Sequence, residues 1–275
     1  MGALNWTAMQ PFGARVELDL AGDVEPAAIE QLRQLYDTCR LLVFTGQKLS
    51  HTRQASICAW FGEVIATDEP AYLSPDPDVG GLGDAELPFH SDLSCTPEPL
   101  TGLSLHAIDV DPQAPPTFFV DAIAAAAALP ADLREQLATL HVMNLWPMDL
   151  SIRQRSGAAP EGWPGTAHPL LRPHRRTGEL LLSLNASHSD RIVELDAGAS
   201  ERIIAMLFER LYAPARRLEH HWHNGDFLVW DNLALQHARP PVPRGVARTL
   251  QRVEMGSASY MELMPPELMA AYNSA

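Results

Sequence analysis

Apolar positions change period several times along the chain, and each change marks an element. Between Val24 and Arg40, the residues Ile29, Leu32, Leu35, Tyr36 and Cys39 recur at spacings of three and four. This predicts an amphipathic helix with Pro26 in its first turn. Leu41-Leu42-Val43-Phe44 then reads as a short buried strand ending at Gly46. Ser50 or Thr52 is placed to cap a second helix that carries Ile57, Trp60 and Phe61 and stops near Gly62. Upstream, weak alternation from Asn5 to Leu20, interrupted by Pro11 and Gly13, predicts an opening strand and turn.

Later in the chain the strand period dominates. Leu103 to Ile108, Phe118 to Val120, Leu180 to Leu184 and Arg248 to Met255 read as strands. Arg216 to Trp222 and Phe227 to Trp230 are two more, and Asn224-Gly225 between them predicts a hairpin turn. Helices are expected from Ala122 to Leu129, from Pro130 towards Leu140, and from Ser200 to Tyr212, where Ile203, Ile204, Leu207, Phe208 and Leu211 keep helical spacing. Periodicity dissolves over 68–88, rich in proline, glycine and acidic residues, and over 151–166. The first of these reads as a lid loop, the second as another long loop. A methionine-rich tail is expected to pack as a terminal helix or against another subunit, as in a homo-oligomer. Early helices followed by separated strands, with no internal repeat, indicate one α+β domain spanning 1–275.

At 275 residues with 46% apolar content the chain can bury a sizeable core. A net charge of −14 disfavours nucleic acid and anionic membrane surfaces as partners, leaving a small-molecule substrate. Lys48 is the sole lysine, so nearly all positive charge is arginine, which suits planar recognition of carboxylates. Cys39, Cys58 and Cys95 are odd in number and lack C-x-x-C spacing, which points to reduced core thiols rather than disulfides or structural zinc. No apolar run approaches membrane-spanning length and no leader pattern opens the chain, so a cytoplasmic enzyme is the expectation.

Chemistry concentrates in Leu87-Pro88-Phe89-His90-Ser91-Asp92-Leu93. In an extended segment His90 and Asp92 project to one side and can share a metal ion, with Ser91 pointing away. A third ligand is best sought in Trp230-Asp231-Asn232-Leu233-Ala234-Leu235-Gln236-His237, at His237. Two histidines and one carboxylate with open positions is the arrangement of non-haem Fe(II) oxygenases. His188-Ser189-Asp190 repeats the tripeptide. It follows a strand and leads into a turn or helix approach, so the first copy is preferred as the metal pair and the second read as a solvated turn. His220-His221-Trp222-His223 sits beside the Asn-Gly turn, where polar side chains are expected without a metal.

Val229-Trp230-Asp231-Asn232, with His237 five residues later, together with Leu41 to Phe44 and Trp60-Phe61-Gly62-Glu63, resembles the TauD/TfdA family of Fe(II)/2-oxoglutarate-dependent dioxygenases. The resemblance spans most of the chain and implies a double-stranded β-helix (jelly roll, cupin-like) core flanked by helices. It implies that His90, Asp92 and His237 bind Fe(II), and that Arg248, eleven residues after His237, holds the far carboxylate of 2-oxoglutarate. Thr117 matches the family's threonine by its spacing from His90, although Ala114-Pro115-Pro116 stands where relatives have Gly-Gly-Asp. Oxidative decarboxylation with O2 would yield succinate, CO2 and an oxidised substrate. Asp92, a carboxylate where halogenases carry a small residue, favours hydroxylation. His188 falls where relatives place a substrate-facing aromatic residue. Arg252, four residues beyond Arg248 on the same strand face, matches an arginine that binds a substrate anion. Its alternative is an internal salt bridge with Asp231 or Glu254. A metal-dependent hydrolase, or a non-catalytic binding protein on the same scaffold, are the competing classes, and neither needs Arg248.

Overall fold

The computed structural model describes residues 4–67, 69–148 and 159–264. Two antiparallel-rich sheets face each other. The larger has eight strands, in the order Trp6–Ala8, Ala14–Val16, Leu41–Phe44, Phe227–Asp231, Gly102–Val110, Arg248–Met255, Ala71–Ser74, Gly81–Leu82. The smaller has four, in the order Leu218–His220, Thr117–Asp121, Leu235–Arg239, Leu87–His90. Between them lies a core to which Val43, Leu103, Leu228, Trp230 and Leu250 contribute from one sheet and Phe119, Leu218 and Leu235 from the other.

Strand alternation explains why the larger sheet is covered on both sides. Leu41 and Val43 face the smaller sheet, whereas Leu42 and Phe44 join Phe227, Val229, Val253 and Met255 under the first two helices. Those helices are Pro26–Cys39, with proline at its start, and His51–Cys58, where Ser50 caps by accepting from the Arg53 N–H. A third apolar cluster joins helices Ala122–Ala127 and Ala197–Leu211 to the pairs Leu171–Pro173 and Leu180–Leu182.

Three expectations need correction. The Asn224-Gly225 turn is present, with Gly225 at φ 83, but it does not close a hairpin. Leu218–His220 pairs with Thr117–Asp121, and Phe227–Asp231 pairs with Leu41–Phe44 and Gly102–Val110, so the turn carries the chain from one sheet to the other. Asn224 leaves through its side chain, accepting from the Val110 N–H at 2.7 Å. Segment 68–88 is not a structureless loop, since Ala71–Ser74, Gly81–Leu82 and the start of Leu87–His90 lie in it. In the second long segment, residues 151–158 lie outside the described residues, and 165–166 already belong to the strand Gly165–Pro169. The tail forms the short helix Tyr260–Leu263, and 265–275 lie outside the described residues. The three cysteines are free, and no helix among the described residues is long and apolar enough to cross a membrane.

Candidate active site

His90 and His237 meet because their strands pair. His237 is the direct cross-strand partner of His90, which brings the ring centroids to 4.2 Å. Asp92 arrives differently from the expectation: the strand ends at His90, and the carboxylate is carried on the turn that follows. Asn232 fixes that turn. Its Oδ1 accepts from the Asp92 N–H at 2.9 Å, and its Nδ2 donates to the carbonyls of Asp92 (3.0 Å) and Leu100 (2.9 Å). Ser91 points away, donating to the Leu235 carbonyl at 3.2 Å.

The result is a cluster of three donor atoms within 4.8 Å of one another, the one such group among the described residues. His90 Nδ1 lies 2.7 Å from the Pro88 carbonyl, which can only accept, so Nδ1 carries the proton and Nε2 a lone pair. That lone pair faces Asp92 Oδ1 at 3.1 Å, and His237 Nε2 approaches the same oxygen at 3.5 Å. Acceptors converging on one point call for a cation between them, and two imidazoles with one carboxylate suit Fe(II). Burial, then His90, hold the His237 imidazole down to about 3, keeping it neutral and ready to ligate. Burial alone would push the Asp92 carboxyl up, but Arg252 and the two imidazoles outweigh it and leave the group well below the usual carboxylate range.

The triad opens on a cleft of about 560 Å³, solvent at its mouth included, walled by Leu73, Leu87, Leu103, Leu105 and Trp230. Arg248 and Thr117 line it too and are each 3% exposed. Arg248 donates to Thr117 Oγ1 at 3.0 Å and to the Pro115 carbonyl at 3.3 Å, both neutral. Burial, and then Arg239, hold its guanidinium down to about 9. Trp222, which the sequence reading passed over with the neighbouring histidines, donates its Nε1 to Thr117 Oγ1 at 3.0 Å and stacks under the Arg248 guanidinium at 5.9 Å. With two donors already on its oxygen, Thr117 has its own hydroxyl proton left to give to a ligand. The pairing His220↔Thr117 brings Trp222 within reach, a contact no motif encodes.

Arg252 also lines the cleft, on the same strand face as Arg248, because the register shift nearby leaves the alternation of Arg248–Met255 intact. It pairs with Asp92 and, at 2.7 Å, with Glu254. Of the internal partners anticipated for it, Glu254 is present and Asp231 is not. Asp231 is instead held by His174 at 3.0 Å and Arg176 at 2.6 Å. His188 is 5% exposed, and its neighbours Ser189 and Asp190 are buried, so the second tripeptide is no solvated turn. Its Nδ1 lies 3.1 Å from the Leu145 carbonyl, and burial, then the neighbouring His90, hold the imidazole down to about 4. It is not among the residues lining the cleft. His221 and His223 are exposed, while His220 is buried against Asp226.

Facing sheets bring two imidazoles, a carboxylate and a buried guanidinium to one cleft, a donor set suited to a metal-dependent enzyme. Residues 6–253 match the family described as taurine catabolism dioxygenase TauD, TfdA family, and the chain belongs to that family. Its enzymes are oxidoreductases with Fe(II) as cofactor and 2-oxoglutarate and O2 as cosubstrates. The chain is 28% identical over 267 residues to pentalenolactone F synthase of Streptomyces avermitilis, covering 86% of this chain and 87% of that one. It is 27% identical over 274 residues to the alpha-ketoglutarate-dependent 2,4-dichlorophenoxyacetate dioxygenase of Cupriavidus pinatubonensis, covering 88% and 93%. Its fold matches that of AAD-2, solved in complex with Mn(II) and N-oxalylglycine, with a TM-score of 0.78 at 21% identity over 94% of this chain and 98% of that one.

Proposed function

We propose that the protein hydroxylates a small anionic organic substrate, consuming 2-oxoglutarate and O2 and releasing succinate and CO2. The two facing sheets are read as a double-stranded β-helix. His90, Asp92 and His237 are the ligands that would hold Fe(II), whose O2 chemistry supplies the decarboxylation of 2-oxoglutarate and the oxidation of a substrate C–H bond. The observation that carries this reading is Arg248, a buried guanidinium that bonds only to neutral oxygens in the cleft that holds the triad. A buried cation without a counter-ion is expensive, so the site is built for an anion. Arg248 offers its guanidinium fork and Thr117 its hydroxyl proton to the far carboxylate of 2-oxoglutarate, and Trp222 keeps both in place.

Charge and lining support the substrate class. Among the residues that line the cleft, three guanidiniums (Arg239, Arg248 and Arg252) outnumber the one carboxylate, Asp92. That cationic lining favours an anionic substrate, and the leucines of the cleft suit an apolar body behind an acidic head. Arg252, held between Asp92 and Glu254, is the cation that head meets. The name of the 2,4-dichlorophenoxyacetate dioxygenase describes such a molecule, an apolar ring with a carboxylate. Buried His188, beside His90 and Asp92, is assigned to shaping the substrate side of the triad. Segment 68–88 is assigned to the lid. The test is succinate formation from 2-oxoglutarate with Fe(II) across a panel of small carboxylates, sulfonates and their neutral amides. Acids alone should stimulate it, and preferential stimulation by the amides would refute the substrate class.

A further inference from the structure

Arg239 lies two residues beyond His237 on Leu235–Arg239 and is 7% exposed. Its guanidinium donates through Nη1 to the Gly83 carbonyl at 3.1 Å and through Nη2 to the carbonyls of Leu82 (3.3 Å) and Ala85 (2.6 Å). Between these residues, the Asp84 carbonyl accepts from the Val242 N–H at 2.8 Å. On its other side the segment is tied to the edge of the larger sheet, where Gly81 and Leu82 pair in parallel with Leu73 and Ser74. Residues 81–85 therefore run from one sheet to the other, and Gly81, Leu82 and Gly83 line the same cavity as His90 and Asp92.

Two features make this more than an incidental contact. The backbone is left-handed at Leu82 (φ 68) and Gly83 (φ 48), a conformation unfavourable for leucine that persists only where its surroundings hold it. Carbonyls at a protein surface also have water available and do not need a buried guanidinium, whose desolvation the Asp84 carboxylate nearby offsets only in part.

We propose that Arg239 is a positioning residue that latches segment 81–85 as the roof of the cleft, joining the two sheets above the metal-binding triad. The importance of the roof rests on the cleft being the active site as proposed, but the latch is testable without turnover. Arg239 lies close enough to Arg248 to disfavour its charge. A dicarboxylate bound at Arg248 offsets that repulsion, so cosubstrate binding firms the roof. The roof in turn keeps water from the reacting atoms.

Amide hydrogen exchange of the full chain, followed by mass spectrometry with and without Mn(II) plus N-oxalylglycine, reads the latch directly. Arg239→Met should exchange roughly tenfold faster than wild type across 78–86, the effect of losing charge-assisted hydrogen bonds, with Gly102–Val110 unchanged. Arg239→Lys keeps the charge but not the fork and should fall in between, roughly threefold faster. Should the methionine variant not fold, the lysine variant carries the test. Exchange over 78–86 at the wild-type rate in a folded variant would overturn the latch. So would an equal loss of protection in Gly102–Val110, which would make Arg239 a general fold residue. Failure of the dioxygenase reading looks different: Mn(II) and N-oxalylglycine would protect no segment, while the dependence on Arg239 remained.

Discussion

Replacing Asn232 with alanine tests how Asp92, the carboxylate proposed to bind the metal, is placed. Asn232 is fully buried and makes three hydrogen bonds, two to the Asp92 backbone and one to the Leu100 carbonyl. Truncation strands one N–H and two carbonyl groups. At about 1 kcal/mol each, the low end for unsatisfied buried groups, the protein should lose about 3 kcal/mol of stability. Two of the three bonds define where Asp92 stands, and Leu93, next to it, already sits at φ 57. The turn should therefore relax once released, lowering metal affinity by roughly 10–100-fold, or about 1.4–2.7 kcal/mol. Urea unfolding of the metal-free protein reads the first quantity and Mn(II) titration by calorimetry the second. If the variant lost stability but bound Mn(II) within about threefold of wild type, the assignment of Asn232 as the clamp on Asp92 would be refuted.

Arg252→Met should raise the substrate Michaelis constant roughly tenfold or more while leaving 2-oxoglutarate affinity nearly unchanged, as expected for losing one charge-assisted pair. Because Arg252 also touches Asp92, a metal titration of the variant belongs with the kinetics, and a change confined to 2-oxoglutarate would contradict the assignment. Acid should destabilise the fold through buried histidines. Burial, then Arg172, hold His168 down to about 4, and burial, then His90, do the same for His188, against an ordinary value of 6.5. Between those values the unfolded chain binds protons that the native one does not. Stability is therefore lost as pH falls from 6.5 towards 4, by about 2 kcal/mol per histidine at pH 5. Urea midpoints at pH 7 and pH 5 check this. His168→Gln should lose its share of the slope, and a flat profile would show that these histidines charge freely in the fold.

Much of the site was legible because it depends on strand parity and local order. Arg248 and Arg252 share a face since they are four residues apart in one unbroken strand, and Ser50 caps its helix as its side chain dictates. What stayed hidden depends on which strands become neighbours. Asn224-Gly225 looks like a hairpin from local turn chemistry, yet the strands on either side pair with distant segments of different sheets, which local turn chemistry does not encode. Trp222 reaches Thr117 across 105 residues, and Arg239 reaches Gly83 across 156, through pairings that no short-range pattern carries. His188 reads as solvated because its tripeptide is polar, but Asn185 satisfies its backbone N–H and the Leu145 carbonyl its ring, which is what allows burial.

The central claim is that His90, Asp92 and His237 hold Fe(II) beside a 2-oxoglutarate anchored by Arg248. Anaerobic addition of Fe(II) and then 2-oxoglutarate to the purified protein, followed in the visible spectrum, tests it most directly. A weak charge-transfer band should develop in wild type and be absent in His90→Ala, while in Arg248→Met it should need roughly 100-fold more 2-oxoglutarate, as for a lost bidentate carboxylate contact. A band that survives unchanged in His90→Ala would contradict the account.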